Sequence, residues 1–246
     1  MDRMIYLAMT GAKQTEFAQA INSNNLANVS TAGFRADLHA FSSVTVKGPG
    51  LDSRVNAIVQ PYGTDFSQGP VTNTGRELDV AIQDRGFLAV QTTDGREAYT
   101  RAGDLRVNAG GLLTNGAGHL IAGDGGPVAI PPYSNLVVGA DGTISIQPIG
   151  QGPETLATVD RIKLVDPDVR RLHKGSDGLL YLPEGETAAA SADVRLTAGA
   201  LEQSNVNVAH TLVNMIELSR QYEMQINVIG TAKEDADAAA QMMRIG

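Results

Sequence analysis

The chain has 246 residues, enough to bury about 70 per cent of its unfolded surface in a compact fold. Its net charge of -8 argues against nucleic acid or an anionic membrane surface as a partner, because both require a basic face. The absence of cysteine excludes disulfides, thiol nucleophiles and cysteine-ligated metals. The sequence also lacks an apolar run of membrane-spanning length, and charged residues near its start argue against a cleaved Sec-type signal, so we expect no membrane insertion.

Proline and glycine are distributed unevenly along the chain. All ten prolines lie between Pro49 and Pro183, and all but three glycines lie between Gly33 and Gly199. These residues interrupt regular elements, so the ends are predicted to be helical and the middle to be rich in strands and turns.

The first predicted helix spans about residues 3–28, which contain no proline and one glycine. Gly33 is predicted to take a left-handed conformation after this helix ends near Ser30, and Phe34 to pack back as an anchor. The second half of the helix is rich in amides. They either fix the register across an interface or form a solvated face, and they are Gln14, Gln19, Asn22, Asn24, Asn25 and Asn28.

The middle of the chain contains five dipeptides that favour tight hairpin turns: Asp94-Gly95, Asn115-Gly116, Asp124-Gly125, Asp141-Gly142 and Asp177-Gly178. Short apolar runs between the turns predict an antiparallel sheet or an open barrel. A loop is expected over 148–153. The predicted strands are 78–82, 87–91, 105–107, 120–122, 136–138, 143–146, 162–165 and 179–182.

The last predicted helix has the clearest periodicity in the sequence. Steps of four and three select eleven positions, nine of them apolar, which is the pattern of a coiled-coil seam. Ser204 or Asn205 is the predicted N-cap. A helix of about 40 residues is about 60 Å long and needs a partner along its seam. The seam positions are Val208, Leu212, Met215, Ser219, Tyr222, Ile226, Ile229, Lys233, Ala236, Ala240 and Met243.

These elements predict an α+β fold. Its parts are a discontinuous helical coiled-coil domain, formed by residues 1–35 with 200–246, and a central, mostly antiparallel β-rich domain over residues 36–199.

Residues that could carry chemistry are scattered. Four histidines, His39, His119, His173 and His210, lack metal-ligand spacing, and Asp166 with Asp168 is best interpreted as a solvated turn. We therefore expect no catalytic, metal or cofactor site. A periplasmic module that binds or hydrolyses polysaccharide stays open as an alternative, because the middle is acidic and rich in glycine.

Three stretches resemble the flagellar rod and hook family. They are residues 24–35 (NNLANVSTAGFR), the block from Gly86-Phe87-Leu88 to residue 114, and residues 199–206 with the following 215–223. Within that family, the opening MDRMIY and residues 69–82 are most similar to proximal-rod members, with distal-rod members as the alternative. The resemblance covers both ends and the centre of the chain.

The resemblance implies a structural, non-enzymatic subunit of the flagellar basal-body rod. Such a subunit would leave through the flagellar type III export apparatus without a cleaved signal. It would then polymerise in the periplasm, through its terminal helices, with copies of itself and with other rod proteins, into a hollow shaft that transmits torque. The predicted assembly residues are Asn25, Leu26, Asn28, Thr31, Gly33, Phe34, Leu201, Ser204, Asn205, Val208, Leu212, Met215, Tyr222, Ile226 and Ile229.

Overall fold

The computed structural model describes residues 2–45, 55–150 and 156–244. It has an α+β fold, with one long helix at each end and antiparallel β structure between them. This confirms the α+β class predicted from the sequence, and the coiled-coil pairing stays a prediction. Helix α1 spans Asp2–Ala27 and helix α2 spans Val208–Arg244, close to the predicted bounds.

Many of the strands are short. In chain order they are β1 (Asp37–Thr45), β2 (Val55–Thr64), β3 (Val71–Asn73), β4 (Val80–Gln83), β5 (Phe87–Gln91), β6 (Glu97–Thr100), β7 (Arg106–Val107), β8 (Leu113–Thr114), β9 (Leu120–Gly123), β10 (Gly126–Pro127), β11 (Tyr133–Val138), β12 (Thr143–Pro148), β13 (Ala157–Arg161), β14 (Leu164–Val165), β15 (His173–Lys174), β16 (Leu180–Tyr181), β17 (Arg195–Ala198) and β18 (Ala200–Glu202). A 3₁₀ turn covers Val169–Arg171.

The main sheet has the strand order β15-β16-β6-β5-β9-β8-β7, with β10 beside β9 and β14 beside β5. Strands β11, β12 and β13 form a second sheet, and β1–β2, β17–β4 and β18–β3 form pairs. The core of the main sheet is centred on β5, where Phe87, Leu88, Ala89 and Val90 are buried on both faces. A central strand covered on both sides accounts for its uninterrupted apolar sequence.

The predicted strands all occur in part, but several others were not predicted, among them two that pair with distant segments. Strand β17 pairs with β4 and β18 pairs with β3, although more than a hundred residues separate the partners. Such short strands carry little periodicity of their own, because the partner supplies their hydrogen bonds. The predicted loop over 148–153 lies outside the described residues from 151 onward, and Pro148 ends strand β12.

Three of the predicted turn glycines, Gly95, Gly142 and Gly178, adopt positive φ. Two predictions were wrong by one or two residues, because the left-handed residues are Gly118 and Gly126. Gly116 serves another purpose. A Cβ there would lie 1.7 Å from Oδ2 of Asp104, so a larger residue would require the Asp104 side chain to move.

The chain forms two compact units by packing. The helical unit contains the described parts of Met1–Ala27, Asp37–Gly63 and Val206–Gly246, and the β-rich unit contains Asn28–Ala36 and Thr64–Asn205. These limits differ from the predicted domains, 1–35 with 200–246 and 36–199, in where they place 28–35, 37–63 and 200–205. The domain boundaries stay a prediction, since packing does not test which part folds alone.

Within the helical unit, α1 and α2 pack against each other in opposite directions. The side chain of Asn22 donates from Nδ2 to the carbonyl of Thr211 over 2.8 Å. Ala18 shares a buried cluster with Leu218, and Gly11 lies against the side chain of Gln225. The α2 residues Thr211, Leu218, Gln225 and Ala232 recur every seven positions and form the stripe that α2 buries, which we call the inner stripe.

The predicted N-cap of the last helix was wrong. Asn207 directly precedes α2, and its Oδ1 accepts a hydrogen bond of 3.0 Å from the backbone N–H of His210. This is the capping arrangement that Ser204 or Asn205 was expected to provide. Both residues instead belong to the β-rich unit, where Ser204 is buried.

Candidate functional site: the two end motifs and the helix pair

Two sequence motifs from opposite ends of the chain meet within the β-rich unit. Nη2 of Arg35 lies 2.8 Å from Oε1 of Glu202, and Nη1 of Arg101 lies 2.8 Å from Oε2 of the same carboxylate. All three side chains are at most 5% exposed. We call these three residues the ionic junction. It joins the segment after α1, the segment before α2 and the centre of the β-rich unit.

Backbone groups complete the ionic junction. The N–H of Gly69 donates to Oε1 of Glu202 over 3.0 Å, and the N–H of Gly33 donates to the carbonyl of Glu202 over 2.8 Å. Nε of Arg101 donates to the carbonyl of Gly86 over 3.0 Å. Buried charges are tolerated only where such bonds replace lost hydration, so the geometry makes these segments depend on one another.

Two glycines permit the close approach of these segments. Gly33 has φ +66, and a Cβ there would lie 2.2 Å from the backbone carbon of Arg101. A Cβ on Gly69 would lie 2.1 Å from the carbonyl oxygen of Gln203. The positive φ predicted for Gly33 is confirmed, and steric contact adds a second reason for glycine at this position.

Two asparagines brace the backbone beside the motifs. In the helical unit, Asn25 exchanges two hydrogen bonds of 2.9 Å with the N–H and carbonyl of Asp37. In the β-rich unit, Oδ1 of Asn205 accepts from the N–H of Ala36 over 2.8 Å, and its Nδ2 donates to the carbonyl of Asp65 over 2.9 Å. Each amide therefore fixes the backbone beside the motifs through hydrogen bonds to main-chain groups.

Phe34 is buried in the β-rich unit, and Nζ of Lys174 lies 3.9 Å from the centroid of its ring. The same Nζ donates to the carbonyl of Arg35 over 2.8 Å. Burial lowers the pKa of Arg35, and the positive charge of Arg101 acts in the same direction, while Glu202 opposes both. Burial is therefore the main cause of the lowered pKa of Arg35, and Glu202 is the strongest influence against it.

The predicted assembly residues fall into two groups. The first group lies in or beside the end motifs, where Asn25, Gly33, Phe34 and Ser204 are buried within the chain. Asn28 and Thr31 bond each other in the turn after α1, and Leu26, Leu201 and Asn205 are partly buried. The second group lies on α2: Met215 and Ile229 are partly buried, and Val208, Leu212, Tyr222 and Ile226 are exposed. Contact of either group with a partner stays a prediction.

Sequence analysis missed the ionic junction and the inner stripe. Arg35 and Glu202 stand inside the resembling motifs, but neither has a local pattern that marks a buried ion pair. The inner stripe escaped notice because Thr211 and Gln225 are polar. Leu218 and Ala232 alone are too few apolar positions to mark a buried stripe.

Asp168 has a local structural role. Asp168 accepts from the N–H of Arg170 over 3.0 Å and caps the 3₁₀ turn, as expected for a solvated turn. Within the described residues, no three His, Cys, Asp or Glu side chains group as metal ligands. Over the same residues, neither helix is long and apolar enough to cross a membrane.

The fold thus defines a class of protein in which both chain ends form a helix pair and the middle forms a β-rich unit. Comparison with known proteins agrees. Residues 5–35 match the family described as flagella basal body rod protein, residues 81–146 the D1 domain of the flagellar hook proteins FlgE/F/G, and residues 197–242 the C-terminal region of flagellar basal body rod proteins FlgEFG.

Relatives that match over nearly the whole chain show which family it belongs to. The basal-body rod proteins FlgF of Salmonella typhimurium and Escherichia coli are each 41% identical to this chain over 249 residues, covering 99% of both partners. FlgG of Buchnera aphidicola from Schizaphis graminum is 31% identical and covers 97% of the chain and 98% of the relative. The chain therefore belongs to the flagellar basal-body rod family and is most like FlgF. The resemblance found in the sequence is confirmed, and the distal-rod alternative, FlgG, is not favoured.

Proposed function

We propose that this chain builds the flagellar rod by polymerising through its helical unit, and that it acts without catalysis. The observation that carries this proposal is the apolar surface on α2. Leu212 and Ile226, both positions of the predicted seam, are each 45% exposed, while the inner stripe one residue away is covered by α1. We call Leu212 and Ile226 the open row of α2. Apolar side chains that stay exposed in the subunit are typical of a surface that binds a partner.

The same helix adds further exposed apolar side chains near its start. Val208, Val213 and Ile216 lie within two turns of Leu212, and each is more than 40% exposed. Helix α1 contributes exposed Tyr6 and Phe17. A helix with one stripe covered in its own chain and another stripe open can join a bundle of several chains. We therefore assign the coiled-coil pairing expected from the sequence to contacts between subunits.

Family membership supports the other parts of the proposal. Relatives named as basal-body rod proteins support a place in the basal body and assembly with other rod subunits. We extend this to export through the flagellar type III apparatus and polymerisation in the periplasm. The buried polar groups of the end motifs bond within the chain, which fits a role in holding the subunit together under load.

A polysaccharide site is a weaker candidate. The β-rich unit has a cleft of about 430 Å³ lined by Glu97 and Lys163, but these two groups neutralise each other over 2.8 Å. Among the described residues that line this cleft none is aromatic, whereas stacking on aromatic side chains is a common way to bind a sugar ring. We therefore do not assign a carbohydrate function to this cleft.

The assembly proposal is tested by charging the open row of α2. Leu212→Asp combined with Ile226→Asp should leave the monomer folded, because both side chains are exposed, but should prevent assembly by placing charge in an apolar contact. We expect normal circular dichroism, no co-assembly with rod subunits and no swimming in a complemented deletion strain.

Val137→Asp is the matched control, because Val137 is 41% exposed on strand β11. It should retain assembly and swimming. Truncation after Asn205 should likewise abolish assembly. Normal rods and swimming in the double variant would contradict the proposal.

A further inference from the structure

Residues 183–193 join strand β16 to strand β17 within the β-rich unit, and we call this segment the strap. It contains no helix or strand, and none of its residues is buried, although Ala188 and Ser191 are half-buried. Its residue Glu186 pairs with Arg171, but both side chains are about half exposed and such a pair adds little stability. A segment with so few buried contacts can open at a lower free energy than the core around it.

Two backbone N–H groups attach the strap to the main sheet. The N–H of Ala188 donates to Oη of Tyr99 over 2.7 Å. The N–H of Ser191 donates to the carbonyl of Leu164 over 2.8 Å. These two bonds lie three residues apart in the chain, so a movement that breaks one of them pulls on the other.

The hydroxyl group of Tyr99 is a fixed acceptor for the strap. It donates to Oε1 of Glu97 over 2.9 Å, and Nζ of Lys163 lies 2.8 Å from Oε2 of the same carboxylate. Tyr99 itself is 0% exposed. Because its ring and its hydroxyl are both held by the sheet, the bond to Ala188 can break without movement of the core.

Cavities border the strap along much of its length. The cleft of about 430 Å³ is lined by Thr187 and Ala190, and a second cavity of about 120 Å³ is lined by Ala190, Ser191 and Ala192. A group that borders an empty space has no van der Waals partner on that side. The packing energy that the strap would lose on opening is therefore small.

We propose that the strap opens as one unit while the rest of the β-rich unit stays folded, and that the hydroxyl group of Tyr99 holds it closed. Opening breaks the bonds of Ala188 and Ser191 together. It also uncovers the edge of strand β14, where Ala190 is bridged to Val165 and the other edge is paired with β5. An uncovered edge is a place where an extended polypeptide can add as a strand, so the strap controls access to this part of the sheet.

The test is native-state hydrogen exchange of the full-length protein, followed by NMR at three amides. Opening as one unit requires Ala188 and Ser191 to have equal protection from exchange. Both should be less protected than Leu113, which is 0% exposed and whose N–H donates to the carbonyl of Val128 over 2.9 Å, away from the strap.

Tyr99→Phe removes the acceptor of Ala188 and leaves that of Ser191 in place. It should nevertheless speed exchange at both amides by the same factor relative to Leu113, about tenfold for the loss of one hydrogen bond. Tyr181→Phe is the matched control, because it removes a phenol hydroxyl that bonds to Asp177 instead of the strap, and it should leave both rates unchanged.

Ser191→Pro is the reciprocal variant, since it removes the N–H that bonds to Leu164 and should speed exchange at Ala188. If neither variant folds, the relative protection of the three amides in the native protein decides the question. Unequal protection of Ala188 and Ser191, protection of both equal to that of Leu113, or faster exchange confined to Ala188 in Tyr99→Phe would overturn the proposal.

Discussion

Nη2 of Arg35 lies 2.8 Å from Oε1 of Glu202, and the two side chains are 4% and 0% exposed. Arg35 follows α1 in the chain and Glu202 precedes α2. The pair therefore links two segments of the β-rich unit that are far apart in the sequence. Burying two charges is costly, and a pair of this kind need not be more stable than an apolar contact. Removing one partner is strongly destabilising, because the remaining charges stay buried without their counter-charge.

Glu202→Gln should therefore destabilise the protein strongly. The amide keeps an oxygen for the N–H of Gly69 but removes the charge that balances Arg35 and Arg101, and we expect a loss of about 3–5 kcal/mol in the free energy of unfolding. Urea denaturation of the full chain measures this loss. Glu186→Gln is the control, because its pair with Arg171 is half exposed and should change stability by less than about 1 kcal/mol. Equal losses would show that burial of the pair is not what matters.

Gly33→Ala should be far more harmful than Gly185→Ala, although both glycines have positive φ. Strain alone should cost about 1 kcal/mol at Gly185, where a Cβ meets nothing within 4 Å. At Gly33 the Cβ would clash with the backbone of Arg101 at 2.2 Å, so a loss beyond about 3 kcal/mol or failure to fold is expected. Thermal unfolding of both variants provides the measurement. Similar melting temperatures would contradict the close approach.

The same substitution at two neighbouring asparagines should have opposite effects. Asn205→Asp replaces the donor to the carbonyl of Asp65 with an oxygen, and it should cost about 1–3 kcal/mol. Asn207→Asp keeps the acceptor for the N–H of His210 and adds a negative charge at the start of α2, so it should stabilise by about 0.3–1 kcal/mol. Chemical denaturation of both variants at neutral pH tests this, and effects of the same sign would refute it.

Two tyrosines should ionise late in the folded protein. Burial, together with the negative charge of Glu97, raises the pKa of Tyr99 to about 12, and burial with a hydrogen bond to Asp177 raises the pKa of Tyr181 to about 12. Each pKa is above its ordinary value of 10.0, so the folded state favours the neutral phenol. The resulting stabilisation is complete below pH 10 and is lost as the pH rises towards 12.

Absorbance of phenolate during an alkaline titration measures this effect. Tyr99→Phe and Tyr181→Phe should each remove one late-titrating group, and unfolding in urea should return both groups to about pH 10. Completion of the absorbance change below pH 11 in the folded protein would contradict the assigned burial.

Much of the architecture follows from local patterns. The distribution of proline and glycine predicted the order helix, β-rich middle, helix, because these residues act on the backbone at their own position. Helix α2 and strand β5 were recognised from periodicity and apolar content. Strand β18 and the ionic junction were not, because each depends on a partner far away in the chain.

The sequence by itself determined that α2 is a long helix with a seven-residue repeat, and that residues 24–35 and 199–206 belong to the flagellar rod and hook family. Only the tertiary structure decided which stripe of α2 is buried. The hydrophobicity of Leu212 and Ile226 predicts that their face of α2 is the buried one. The chain buries the face of Thr211, Leu218 and Gln225 instead, because small residues of α1 such as Gly11 and Ala18 allow that face to approach closely. The apolar side chains of Leu212 and Ile226 are thereby left exposed.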